Sequence, residues 1–207
     1  MLLIIDYEKR YDDTVILRID NLELANGIYW IKGENGSGKS TFFKSVAGLV
    51  PFTGKIVFDA VDCKANPVDY RSRINFAEAE PLYPGFLTAK DLIRFIGKTK
   101  GASSENMTRI TKHFGVDGFY EKACETFSSG MLKKLSLTLA FLGNPKLIIL
   151  DEPLITLDDQ TRAKLVELIN HCANHGVMFL ISSHQLIENN LTVSGIYEIK
   201  QKSIHLA

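Results

Sequence analysis

Little in this chain points to covalent or metal stapling. Its three cysteines, Cys63, Cys124 and Cys172, are far apart, odd in number and never form a CxxC pair. That pattern argues against a disulfide framework and a cysteine zinc site, and fits a reducing compartment. Net charge is missing too: 24 basic side chains balance 24 acidic ones, so the chain as a whole exerts no bulk pull on nucleic acid. The longest apolar runs, such as LIIL and VMFLI, fall far short of the roughly 20 residues a membrane helix needs. The start, MLLIIDYEKR, lacks the length and basic flank of a signal peptide, and the end, IHLA, has no prenylation cysteine. No repeat, low-complexity tract or Pro/Ser-rich linker divides the sequence. If it works at a membrane, another chain is expected to hold it there.

What is present is 207 residues, 45% of them hydrophobic, enough for one substantial core. The apolar, β-rich segments LLIIDY, TVILRI, IYWIKG, KIVF, RINFA, LIILD and VMFLIS recur along it. Asn26-Gly27, between LELA and IYWI, predicts a hairpin joining the two. Later strands alternate with the helical stretches STFFKSVAGL and QTRAKLVELINHCANHG, as in βαβ units of a parallel sheet. From about residue 82 to 128 the pattern is helical, in TAKDLIRFIGK and SENMTRITKHFG. The expected architecture is α/β, one domain over residues 1–207. It has an antiparallel β subdomain at its N-terminus, a mostly parallel central sheet and an inserted helical subdomain.

IYWIKGENGSGKST carries Gly33, four residues, then Gly38-Lys39-Ser40, with a strand before and a helix after. This is a P-loop pattern. Glycines let backbone N–H groups converge on phosphate oxygens, and Lys39 adds positive charge at the β- and γ-phosphates. Asn35, Gly36, Ser37, Gly38, Lys39, Ser40 and Thr41 would form the cradle for ATP, with the Ser40 hydroxyl ligating Mg²⁺. LIILDEP supplies a carboxylate pair at a strand end: Asp151 for the metal, and Glu152 one residue on, where it would polarise an attacking water. LISSHQ ends a further strand at His184, a candidate γ-phosphate donor whose alternative is an ordinary packed or surface histidine. FSSGM, Phe127 to Met131, precedes leucines at helical spacing and looks like an N-cap. Such a helix start also binds anions, which makes it a second phosphate cradle in one small domain.

The order GENGSGKST, FSSGM, LIILDEP, ITLD, His184 resembles the ATP-binding cassette (ABC) ATPase domain, essentially from end to end. The resemblance implies a P-loop NTPase fold and a pair of cassettes, homo- or heterodimeric, that share two ATP molecules. Ser128, Ser129 and Gly130 would then close over the γ-phosphate held by the opposite subunit, and Asp158 would link the two sites. Tyr11 would stack on adenine, with Tyr7 as a competitor. The implied role is the ATP-hydrolysing subunit of a membrane transporter, cytoplasmic and peripheral on the inner face of the membrane through a permease partner. No direct contact with nucleic acid is implied. Exposed Leu82, Tyr83 and Phe86 in PLYPGF would enter that partner.

Some positions depart from the family pattern. Ser129 and Met131 stand where glycine and glutamine are usual, a form similar to that of stand-alone exporter ATPases. Ile155 and Thr156 replace the small residues usual before the Asp158 position. The position of the family's glutamine after RINFA falls on Ala79, flanked by Glu78 and Glu80, neither of them a like-for-like substitute; the resemblance leaves open whether one of these takes its place or metal contact passes to water. Two other classes compete. A soluble, non-transport ABC ATPase would carry tandem cassettes or coiled-coil insertions, and a P-loop kinase would need an acceptor pocket but no FSSGM.

Overall fold

The computed structural model describes residues 1–183 and 191–207. In chain order the elements are β1 (Leu2–Tyr11), β2 (Thr14–Leu24), β3 (Ile28–Lys32), α1 (Lys39–Val46), β4 (Thr53–Phe58), β5 (Val61–Asp62) and α2 (Pro67–Ser72). They continue as β6 (Ile74–Ala77), α3 (Ala89–Thr99), α4 (Ser104–His113) and, after two short 3₁₀ turns, α5 (Ser129–Ala140). The chain closes with β7 (Leu147–Asp151), α6 (Asp159–Asn174), β8 (Met178–Ser182), β9 (Gly195–Lys200) and β10 (Ser203–Leu206).

Two sheets form among the described residues. One is antiparallel, in the order β2-β1-β4-β5; the other runs β10-β9-β3-β8-β7-β6 and is parallel except for the β9/β10 hairpin. The hairpin expected at Asn26-Gly27 does not form. β2 pairs with β1 through a two-residue turn at Asp12-Asp13, and Asn26-Gly27 carries the chain across to the other sheet. There the Gly27 carbonyl accepts from the Phe179 N–H at 2.9 Å. The physical reason lies in β3: Ile28, Tyr29, Trp30 and Ile31 are all buried, which marks a central parallel strand covered on both faces rather than an alternating hairpin arm.

The same logic aims the chemistry. In β7, Leu147 and Ile149 join a core with Phe42, Phe43 and Val46 of α1, whereas Ile148 and Leu150 join the opposite core with Leu135 and Leu137 of α5. Strand side chains alternate with period two, so Asp151 falls on the α1 face of the sheet. Ser182 shares that face, following Met178 and Leu180.

Helices α3 to α6 start with side-chain caps. Thr88 and Asp91 form a reciprocal capping box, and Ser103, Ser128 and Asp158 accept from Asn106, Met131 and Thr161 N–H groups. α3 and α4 occupy the segment expected to be helical, and the Ser128 cap places the start of α5 where FSSGM predicts it.

Candidate active site

The loop from Gly33 to Gly38 leaves β3 and enters α1. Gly38 is the N-cap of α1 with φ 105°, a conformation that side chains resist, and no side chain caps the helix. A Cβ on Gly33 would lie 2.5 Å from Ser37 Oγ and 2.8 Å from the Ile199 carbonyl, so the turn closes only with glycine. The first N–H groups of α1 therefore face outward from a bare helix start, where the dipole favours an anion. Lys39 is 8% exposed, and its ammonium donates to the Gly33 carbonyl at 2.7 Å and to the Glu34 carbonyl at 3.0 Å. Ser37 Oγ is buried with no hydrogen-bond partner among the described residues. Asn35, Gly36 and Ser40 are exposed, and Thr41 is half-buried.

β8 pairs with β3 on one side and β7 on the other, and both Ile31 and Asp151 are in register with Ser182. Two strand spacings, about 10 Å, thus separate the root of the glycine loop from Asp151. Asp151 is 2% exposed, and its Oδ1 accepts from Ser182 Oγ at 2.5 Å. The next residue, Glu152, is buried at φ 45°; its N–H donates to Ser182 Oγ at 3.0 Å. Ser182 therefore fixes both acidic residues, one through its carboxylate and the other through its backbone. The sequence reading missed it, because only the pairing of β8 with β7 brings this hydroxyl to LIILD. His184 lies outside the described residues.

FSSGM forms the start of α5, where the Ser128 side chain accepts from the Met131 N–H. Ser128 and Ser129 are exposed at the start of α5, and a Cβ on Gly130 would lie 3.1 Å from the Thr156 carbonyl. Lys134 of α5 donates to Asp158 Oδ2 at 2.7 Å. That bond, followed by the Thr161 N–H, holds the Asp158 carboxyl well below the usual carboxylate range. Ser128–Gly130 and Asp158 thus form one surface. Among the described residues, no hydrogen bond or ion pair joins Ser128–Gly130 to the glycine loop of the same chain.

The two tyrosines separate cleanly. Tyr7 is wholly buried, its hydroxyl 2.9 Å from Ser45 Oγ and its ring packed on Phe42 and Phe52. Tyr11 is half exposed at the end of β1, with the Lys9 ammonium 4.4 Å from its ring centre. Ile16, which the sequence reading did not single out, would contact a Cβ on Gly38 at 3.1 Å, so it borders the loop. Of the expected docking residues, Leu82 and Phe86 are exposed, but Tyr83 is not free. It packs against the core and bonds Ser136, and burial pushes its hydroxyl up to about 12.

Glu78 forms an ion pair with Lys44 of α1 at 3.0 Å, while Glu80 points to solvent. Lys133 of α5 is 2% exposed and donates to the carbonyls of Ala79 (2.7 Å), Glu78 (3.0 Å) and Asp151 (3.4 Å). Burial pushes its ammonium down to about 8, against the pull of Asp151, Glu152 and Glu80.

A strand, a glycine turn and an uncapped helix beside a buried strand-end carboxylate define a P-loop nucleoside-triphosphate site. The ABC transporter family model matches residues 19–155, and the chain belongs to that family as its ATP-binding, ATP-hydrolysing subunit. The lantibiotic transport ATP-binding protein SrtF of Streptococcus pyogenes is 33% identical over 190 residues, 91% of this chain and 82% of that protein. The cytochrome c biogenesis ATP-binding export protein CcmA of Legionella pneumophila is 29% identical over 188 residues, 89% of this chain and 93% of that protein. The dimeric, post-hydrolysis structure of the cassette MJ0796 with ADP and Pi aligns with TM-score 0.85 over 99% of this chain and 97% of that one; at 20% identity it shows the fold.

Proposed function

We propose that two cassettes sandwich two ATP molecules, each held by the glycine loop of one chain and sealed by Ser128–Gly130 of the other, and that this cycle drives an exporter. The observation that carries it is the pair of helix starts suited to phosphate in one chain, α1 at Gly38 and α5 at Ser128, with no bond between them among the described residues. A single nucleotide does not need both. In this reading Lys39 leaves the Gly33 and Glu34 carbonyls for the phosphates, and Tyr11 packs against adenine. Ser40 and Asp151 offer only oxygen donors, the set Mg²⁺ takes, and would hold it. When bound, Mg²⁺ would neutralise charge on the β- and γ-phosphates. Glu152 accepts a proton from the attacking water, His184 donates to the γ-phosphate, and Asp158 faces the partner cassette.

The membrane connection is a permease that keeps this chain peripheral on the cytoplasmic face. Exposed Leu82 lines a 290 Å³ cavity together with Leu49, Tyr83, Ile96 and Lys100, a fitting seat for a permease segment, and Phe86 is exposed four residues further on. Export is favoured by the form of the signature, with Met131 in place of glutamine.

Glu152→Gln tests the sandwich. It is expected to keep ATP affinity, slow turnover by about 10²–10⁴-fold and accumulate a dimer with ATP but not ADP, seen by light scattering. Unslowed turnover would remove Glu152 from its role as base. A variant that binds ATP and stays monomeric, alone and with its natural partner cassette, would contradict the sandwich.

A further inference from the structure

Lys133 lies one helical turn beyond Ser129, on the helix whose start is the cap for the partner's nucleotide. Its ammonium has three donors, and the three carbonyls of Glu78, Ala79 and Asp151 stand ready to take them. All three are main-chain oxygens, so the contact fixes backbone position on two separate segments. One is the residue pair where the family pattern has its glutamine and this chain has Ala79; the other is the strand end that carries both acidic residues. From there the connection runs on, because Glu78 pairs with Lys44 on α1, the helix of the glycine loop. At its far end α5 is clamped by Asn75, whose side-chain amide donates to the Ala140 and Leu142 carbonyls at 2.9 Å each. Besides the apolar packing of Leu135 and Leu137, α5 is thus tied to its own chain's sheet region by polar contacts near both ends, and Lys133 is the one next to the chemistry. A lysine in this buried setting is costly unless its charge is satisfied, and an apolar residue would fill the same volume.

We propose that Lys133 is a positioning residue that couples the two phosphate-binding ends of the chain, transmitting engagement of Ser128–Gly130 with the partner's nucleotide to the backbone of Ala79 and Asp151. It stands in for a link that the absent glutamine cannot make. The inference rests on the two-cassette reading above.

The test uses the full chain with Lys133→Met, which keeps the packing and loses the donors, and Lys133→Arg, which keeps a charged donor. Lys133→Met is expected to bind a fluorescent ATP analogue within twofold of the native affinity. Its kcat should fall at least tenfold with KM changed less than threefold, and Lys133→Arg should recover at least half of that loss. A second readout does not depend on turnover. In the Glu152→Gln background, ATP should slow amide exchange across residues 78–80 by at least tenfold, and adding Lys133→Met should reduce that protection to less than twofold. Native kcat in Lys133→Met, or ATP-driven protection at 78–80 that survives it, would overturn the coupling role even if the variant melts earlier. If Glu152→Gln itself never dimerises with ATP, the two-cassette reading fails instead, and Lys133 has nothing to couple.

Discussion

Ser182 has no direct role in holding phosphate, yet two acidic residues depend on it. Its hydroxyl donates to Asp151 and accepts from the Glu152 N–H, all within a site closed to solvent. Water cannot replace the bond to Asp151, so removing the hydroxyl leaves a buried carboxylate oxygen unmet, while the Glu152 N–H keeps only its 3.2 Å bond to the Ser182 carbonyl. Ser182→Ala is expected to lower stability by about 1–3 kcal/mol in urea denaturation. It should also cut kcat, with little change in ATP affinity, because Lys39 and the glycine turn remain intact. An equal loss of affinity would show that Ser182 shapes the cradle rather than the acidic pair. Such residues are hard to find from sequence because their importance comes from register: Ser182 matters only once β8 is known to lie beside β7. Lys133 is hidden for the same reason, since its acceptors come from positions 78–79 and 151, distant in the chain.

Among the elements, local signals succeeded where a contiguous stretch holds the whole device. GENGSGKST contains its own turn, charge and helix start, and FSSGM its own cap, so both were legible. Signals that depend on what surrounds a segment were not. Asn26-Gly27 has turn chemistry, but the fully buried strand after it belongs to a different sheet from the one before. The β9/β10 hairpin escaped notice because its turn, Gln201-Lys202, adopts φ 51° and 61° without the glycine or asparagine that usually marks such a turn. α6 offers a test at this scale. Asp158 caps it and also pairs with Lys134, which ties α6 to α5. A carboxyl held below its ordinary value adds stability that is present above the unfolded-state pKa and lost as pH falls through the folded-state one. Asp158→Asn keeps a capping oxygen but removes the charge. Thermal melts should therefore place native protein above Asp158→Asn at pH 5 to 7, with the gap shrinking only as pH drops below about 4. A gap independent of pH would assign the difference to the cap alone.

For the molecule as a whole, the sheet divides two jobs. One face packs α1 and the antiparallel sheet, and presents the glycine turn and Asp151; the other packs α5, which starts at Ser128–Gly130. In the proposed sandwich a single chain supplies a floor for one triphosphate and a lid for another. The fold was legible at this level because alternating strands and helices plus motif order constrain it strongly, whereas pairing with a second chain entered only through FSSGM and the family resemblance, since no local pattern encodes a contact between chains. The central claim is that the lid belongs to the neighbour. Cysteines placed at exposed Asn35 and Ser129, with Cys172 replaced and Glu152→Gln to hold the nucleotide, report it directly. With ATP, oxidation should join position 35 of one chain to position 129 of another, giving a covalent dimer on a denaturing gel, absent with ADP. ATP-saturated protein that stays uncrosslinked, or links only within one chain, would contradict shared sites.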